Sequence, residues 1–331
     1  MQQPKETPAP ILFIHKGNSD YLRYTVEAAR LSNPGKEIIF LGDASNAYLK
    51  DLGARHVNLM DYNRGPEIET FYQVYQSVKG ARHGKDEWLK FVFQRWYHIY
   101  HFIEAEKIDR FWTFDSDTII LCDLAGQEEK FTGFDCTEQC EGICMNGYIG
   151  SRRVVRGYVQ KMNELFSRPG YLQEQQADFA DNPGFAFTEM RAYETYKAED
   201  HVKTFHLQRV LRDETFDDCI CVAHGMETYD TPLNDRRLKK MYWRADGEIF
   251  FRRQADGKFL KANTLNMSWV PTYLYPRIIK IAARKYAAGG ATGAAPEMRV
   301  LPIHPPLAYR SKAALNTVKV LLAKTRHWIG Q

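Results

Sequence analysis

Residues 111–124 read FWTFDSDTIILCDL: an aromatic and apolar run, two aspartates one residue apart, then a second apolar run. The first run has the length and aromatic content of a buried strand, which predicts a strand over 110–114 that delivers Asp115, Ser116 and Asp117 to its carboxyl end. Neighbouring carboxylates repel, and one of them holds its proton more tightly unless a cation or donors offset the charge. Two hard oxygen ligands at a strand end suit Mg²⁺ or Mn²⁺ bound together with phosphate groups.

Working outward, residues 11–43, ILFIHKGNSDYLRYTVEAARLSNPGKEIIFLGD, predict a strand over 10–14, a helix with Leu22, Val26, Ala29 and Leu31 on its apolar face, and a second strand over 37–41. YLKDLGARHVNLMDY (48–62) adds a short helix and a third strand. Such βαβ starts place ligands at the carboxyl ends of the strands, where His15, Lys16 and Asp43 fall as donor-binding candidates. From Asp86 a helix with Trp88, Val92, Trp96, Ile99 and Ile103 on one face leads into the 110–114 strand. Downstream come ICMNGYIGS (143–151), a helical VVRGYVQKMNELFSR (154–168), a polar YLQEQQADFADNPG (171–184) and a strand-like DCICVAHG (218–225). Two Asp-Gly turns, at 246–247 and 256–257, divide residues 242–266 into a small antiparallel meander. The fold class is therefore α/β: a Rossmann-type mixed sheet with flanking helices, the meander, and basic C-terminal helices. The expected division is a catalytic domain over 1–271 and a basic tail over 272–331.

With 331 residues, 44% hydrophobic and 13% aromatic, the chain can build a substantial core. It contains no run near the ~20 apolar residues needed to cross a bilayer and no signal-like start, so the expected location is cytoplasmic. Six cysteines, three of them in CTEQCEGIC (136–144), lack a matching histidine set and read as reduced thiols rather than a zinc or disulfide framework. The net charge of +4 is uneven. From Thr272 onward ten Lys/Arg face one acid, Glu297, so that the tail is +9 and the rest −5. The excess is local, and its interleaved aliphatics suit an anionic membrane surface, on the inner face of a membrane, better than nucleic acid.

KIDRFWTFDSDTIILCDL (107–124) resembles the strand and Asp-x-Asp motif of GT-A fold glycosyltransferases, especially the group of glycogenin and bacterial lipooligosaccharide glycosyltransferases. The resemblance extends more loosely over residues 9–232. It implies a metal, Mn²⁺ or Mg²⁺, held by Asp115 and Asp117 against the diphosphate of a nucleotide sugar, with His224 as third ligand. It also implies donor contacts from Arg95, Ser116 and Asn146. Lys90 is a further donor-binding candidate, but it lies about 140° round the helix from Arg95, so the two cannot share one face. Asp178 matches a segment whose carboxylate acts on the sugar or the acceptor, ahead of Glu174, Asp181, Asp217 and Asp218. The implied reaction moves a sugar from a nucleotide-diphosphate donor to a hydroxyl of a glycan or lipid-linked acceptor, in surface glycan synthesis. The alternatives are a haloacid dehalogenase-type phosphatase, which also carries Asp-x-Asp after a strand, and a non-enzymatic membrane-binding protein with a degenerate sugar-nucleotide domain.

Overall fold

The run Ile11–Ile14 forms β1 with all four side chains buried, as in a strand covered on both faces. The computed structural model describes residues 8–209, 211–287 and 297–305. In it α1 (Leu22–Ser32) returns the chain so that β2 (Ile38–Gly42) pairs in parallel with β1, and β3 (Arg55–Asn58) pairs in parallel beyond β2. Two helices, α2 (Pro66–Val74) and α3 (Asp86–Ala105), precede β4 (Phe111–Thr113), which lies parallel to β1 on its other side. The next strand, β5 (Thr118–Ile120), leaves this sheet. β6 (Cys136–Gln139) and β7 (Cys144–Ile149) form a hairpin, with β7 antiparallel to β4. After α4 (Arg152–Ser167), α5 (Tyr171–Asp181) and α6 (Glu189–Glu199), β8 (Thr204–His206) completes the order β3-β2-β1-β4-β7-β6-β8. Alternation along β1 sends Leu12 and Ile14 into a core with α3 and α4, and Ile11 and Phe13 into a core with α1.

A second sheet holds β9 (Glu214–Phe216), β10 (Tyr242–Trp243), β11 (Ile249–Arg252) and β12 (Phe259–Asn266). The expected meander is present. Its turns use Gly247 and Gly257 at φ +90° and +68°, where a side chain would be strained. β12 pairs antiparallel with β5, Asn266 opposite Thr118, so the residue after Asp117 is already bonded into the second sheet.

The chain beyond 271 is part of the same body as far as it is described. α7 (Leu274–Ala287) buries Leu274 and Ile278 in one cluster with Phe251 and Leu265. β13 (Arg299–Val300) pairs with β10, and Arg277 donates to the carbonyls of Pro302 and His304. The expected boundary at 271/272 thus falls inside a packed core. The amphipathic stretch 310–330 lies outside the described residues. Three local expectations differ. Trp88 is 55% exposed, because Leu89 and Phe93 take the buried face of α3. The 218–225 segment is irregular, and the polar 171–184 segment is helical through Asp181. Among the described residues all six cysteines are free, and no helix is long and apolar enough to cross a membrane.

Candidate functional site

The path from β4 to β5 carries Asp115, Ser116 and Asp117 from one sheet to the other, and each of the three side chains meets a different wall. Ser116 is buried, with its hydroxyl 2.9 Å from His15 Nδ1 and its carbonyl accepting from Thr25 Oγ1 at 2.6 Å. These bonds tie the middle residue to β1 and α1. Asp115 accepts from Arg95 Nη1 at 2.8 Å, and Arg95 Nη2 reaches Glu189 Oε1 at 2.8 Å. Burial works against this guanidinium, yet the Glu189 and Asp115 carboxylates outweigh it and hold its pKa above the ordinary value. Asp117 accepts from Ser268 Oγ at 2.9 Å through one oxygen, while its Oδ1 is buried with no hydrogen-bond partner among the described residues. Burial first, and the Asp115 charge second, push its carboxyl up to about 6.

These groups face a cleft of about 600 Å³ between the two sheets. Five carboxylates line it, Asp115, Asp117, Glu141, Glu189 and Asp218, against two cations, Lys16 and Arg95. Arg95 is already shared between two of the acids. Lys16 pairs with no carboxylate among the described residues and lies 6.0 Å from the Phe91 ring. His15 also lines the cleft, and burial lowers its pKa, which keeps the ring neutral near pH 7. The surplus of negative charge and the orphaned Asp117 oxygen fit a divalent cation.

Of the residues expected at the site, the structure gathers His15, Lys16, Arg95, Asp115, Ser116, Asp117 and His224 on this cleft. His224 lies 3.4 Å from Lys239 Nζ and 3.4 Å from Glu141 Oε1, and burial, then Lys239, lowers its pKa. Among the described residues no three His, Cys, Asp or Glu side chains converge closely enough to hold an ion. Two carboxylates are nonetheless a common protein share of a Mg²⁺ site that is completed by phosphates and water. Asn146 is buried just behind Asp115 and Arg95, in a small adjoining pocket. Three further expected residues lie away from the cleft. Asp43 accepts from the Gly17 and Ser45 backbones and so shapes the loop after β1. Lys90 lies over the Tyr72 and Tyr75 rings at 4.9 and 5.4 Å. Asp178 is exposed on α5 and pairs with Arg191 at 2.8 Å.

Glu189 and Glu141 were not singled out from sequence. Glu189 follows Thr188 at the start of α6, where an acid reads as an ordinary first-turn residue, and its burial against Arg95 depends on a contact 94 residues away. Glu141 hides among the cysteines of 136–144. No protein-family model matches the chain, and no curated protein matches it either.

Proposed function

We propose that the protein is a metal-dependent glycosyltransferase that moves a sugar from a nucleotide-diphosphate donor to a hydroxyl acceptor. The observation that carries this reading is the cleft charge: five carboxylates against two cations would repel a diphosphate unless a divalent cation came with it. Asp115 and Asp117 would hold that cation, which when bound supplies charge neutralisation to the departing diphosphate. Lys16, the cation without a carboxylate partner among the described residues, binds a phosphate oxygen from the β1 wall. His15 and Ser116 fix the loop beneath the donor through their mutual hydrogen bond. Arg95, drawn between Asp115 and Glu189, orients the metal-binding carboxylate. The acids available to the sugar or acceptor are those on the cleft, Glu141, Glu189 and Asp218, ahead of Asp178. The parallel β3-β2-β1-β4 order, continued by antiparallel β7, supports the mixed Rossmann-type sheet that the motif resemblance implies.

The deciding experiment is a screen of nucleotide sugars for Mn²⁺-dependent release of nucleoside diphosphate, with the Asp115→Asn/Asp117→Asn protein as control. Release by the native chain that is lost in the double variant is the expected result. Equal release by both proteins, or none by either with any donor, overturns the reading.

A further inference from the structure

Three large apolar side chains stand exposed on the lining of the cleft: Trp88 at 55%, Trp269 at 63% and Val222 at 42%. Trp269 has a second peculiarity. Its φ is +63°, a left-handed backbone that a bulky aromatic residue adopts against steric resistance, and such strain gathers at ligand clamps. The Arg236 guanidinium lies 4.3 Å from the centre of the indole, covering one face of the ring. One residue earlier, Ser268 bonds Asp117, so the indole is tethered next to the proposed metal carboxylates. Trp88 opens α3, the helix that also supplies Arg95.

We propose that Trp269, with Trp88, forms a stacking platform for a saccharide acceptor, an inference that rests on the glycosyltransferase reading and gives its acceptor a chemical class. A pyranose presents an apolar face of C–H bonds and a rim of hydroxyls. An exposed indole face matches the first, and nearby polar groups match the second. Glu141, whose side chain is 75% exposed, is a hydrogen-bond acceptor on the same lining, and Ser268 and Asn266 add further polar atoms. A lipid chain would need an unbroken apolar groove, whereas Lys16, Glu141 and His224 interrupt this one.

The test is saturation-transfer NMR on the full chain, using hexose, N-acetylhexosamine and uronic acid disaccharides as probes. Neutral phosphatidylcholine micelles serve as the lipid arm, and calorimetry with uridine and guanosine diphosphates plus Mn²⁺ as the donor arm. Native protein is expected to transfer saturation to ring C–H protons of at least one saccharide class. Trp269→Ala should weaken that binding about tenfold, the loss of one stacking contact, and Trp88→Ala should weaken it less. Nucleotide affinity should change by less than about twofold in either variant. The platform is overturned if no saccharide binds, if both variants bind saccharide like the native chain, if micelles bind instead, or if nucleotide affinity falls in step with saccharide affinity. Saccharide binding without any nucleotide binding would leave the platform standing and remove the transferase reading.

Discussion

At the residue scale, the Asp117 carboxylate has one oxygen tied to Ser268 and one buried without a partner among the described residues, with a pKa lifted to about 6 by burial and by Asp115. A carboxyl whose pKa is higher folded than unfolded stabilises the fold when protonated. In metal-free buffer its contribution is therefore complete below about pH 4 and is lost as pH rises through about 6. Cation binding needs the ionised form. The rise in melting temperature caused by Mn²⁺ should be full near neutral pH and fade as the buffer falls below about pH 6. Asp117→Asn should abolish the Mn²⁺ response and flatten the acid-side gain, and thermal melts across pH with and without Mn²⁺ read both effects. An undiminished Mn²⁺ response in that variant would remove Asp117 from the proposed metal site. Glu189 makes a different demand. Glu189→Ala leaves the Arg95 guanidinium buried with one of its two carboxylates gone, a loss of about 3 kcal/mol that urea unfolding would register. A change below about 0.5 kcal/mol would mean that solvent already screens this pair.

At the scale of elements, β7 runs between β4 and β6, and Gly147 sits on it at φ +90°. A Cβ there would stand 2.3 Å from Leu207 Cδ1 and 2.4 Å from Thr137 Oγ1. Gly147→Ala should cost about 1–3 kcal/mol and loosen the strand behind Asp115, measurable as a lower melting temperature with faster amide exchange in β7. A variant as stable as the native chain would show that the Leu207 and Thr137 side chains yield without cost. Elements whose burial follows one period were legible in the sequence: β1, α1, β2 and the meander read directly, since alternation and Asp-Gly turns are local signals. Trp88 and residues 218–225 were not, each for its own reason. Trp88 fits the apolar spacing of α3 but sits at its exposed first turn. The apolar residues of 218–225 are held by backbone bonds from Ile220 to Asn266 and from Lys239 to Ile220 rather than by a strand ladder. The aspartate pair was legible because the strand before it announces where it emerges. Ser268, which bonds Asp117, and Glu189, which shares Arg95 with Asp115, come from segments 70 or more residues later, and a linear pattern does not contain that meeting.

For the whole molecule, the basic residues divide into two sets. Arg284 and Arg299 lie over the Trp243 ring at 4.7 and 5.6 Å, and Arg277 holds the carbonyls of residues 302 and 304. These cations secure α7 and β13. Lys285 approaches Glu248, Lys280 is exposed on α7, and the remaining five, Arg310, Lys312, Lys319, Lys324 and Arg326, lie outside the described residues. At about 1 kcal/mol each near an anionic surface, the five charges from 310 to 326 would make the proposed vesicle binding measurable and salt-sensitive. The full chain should cosediment with anionic vesicles and a chain ending at Pro305 should not, while both stay folded. Equal binding by the two would place any membrane contact on the body. Ending the chain at Pro271 is a poorer test, since it strips Leu274 and Ile278 from the core. Asp117 stands where the first sheet hands the chain to the second, its carbonyl bonded to Met267 and its carboxylate to Ser268. Each sheet has a core of its own, but the aspartate pair belongs to the seam. Gentle heating that parts the layers would scatter the aspartate pair while most of the secondary structure survives, so the proposed Mn²⁺-dependent activity should fail several degrees before ellipticity does.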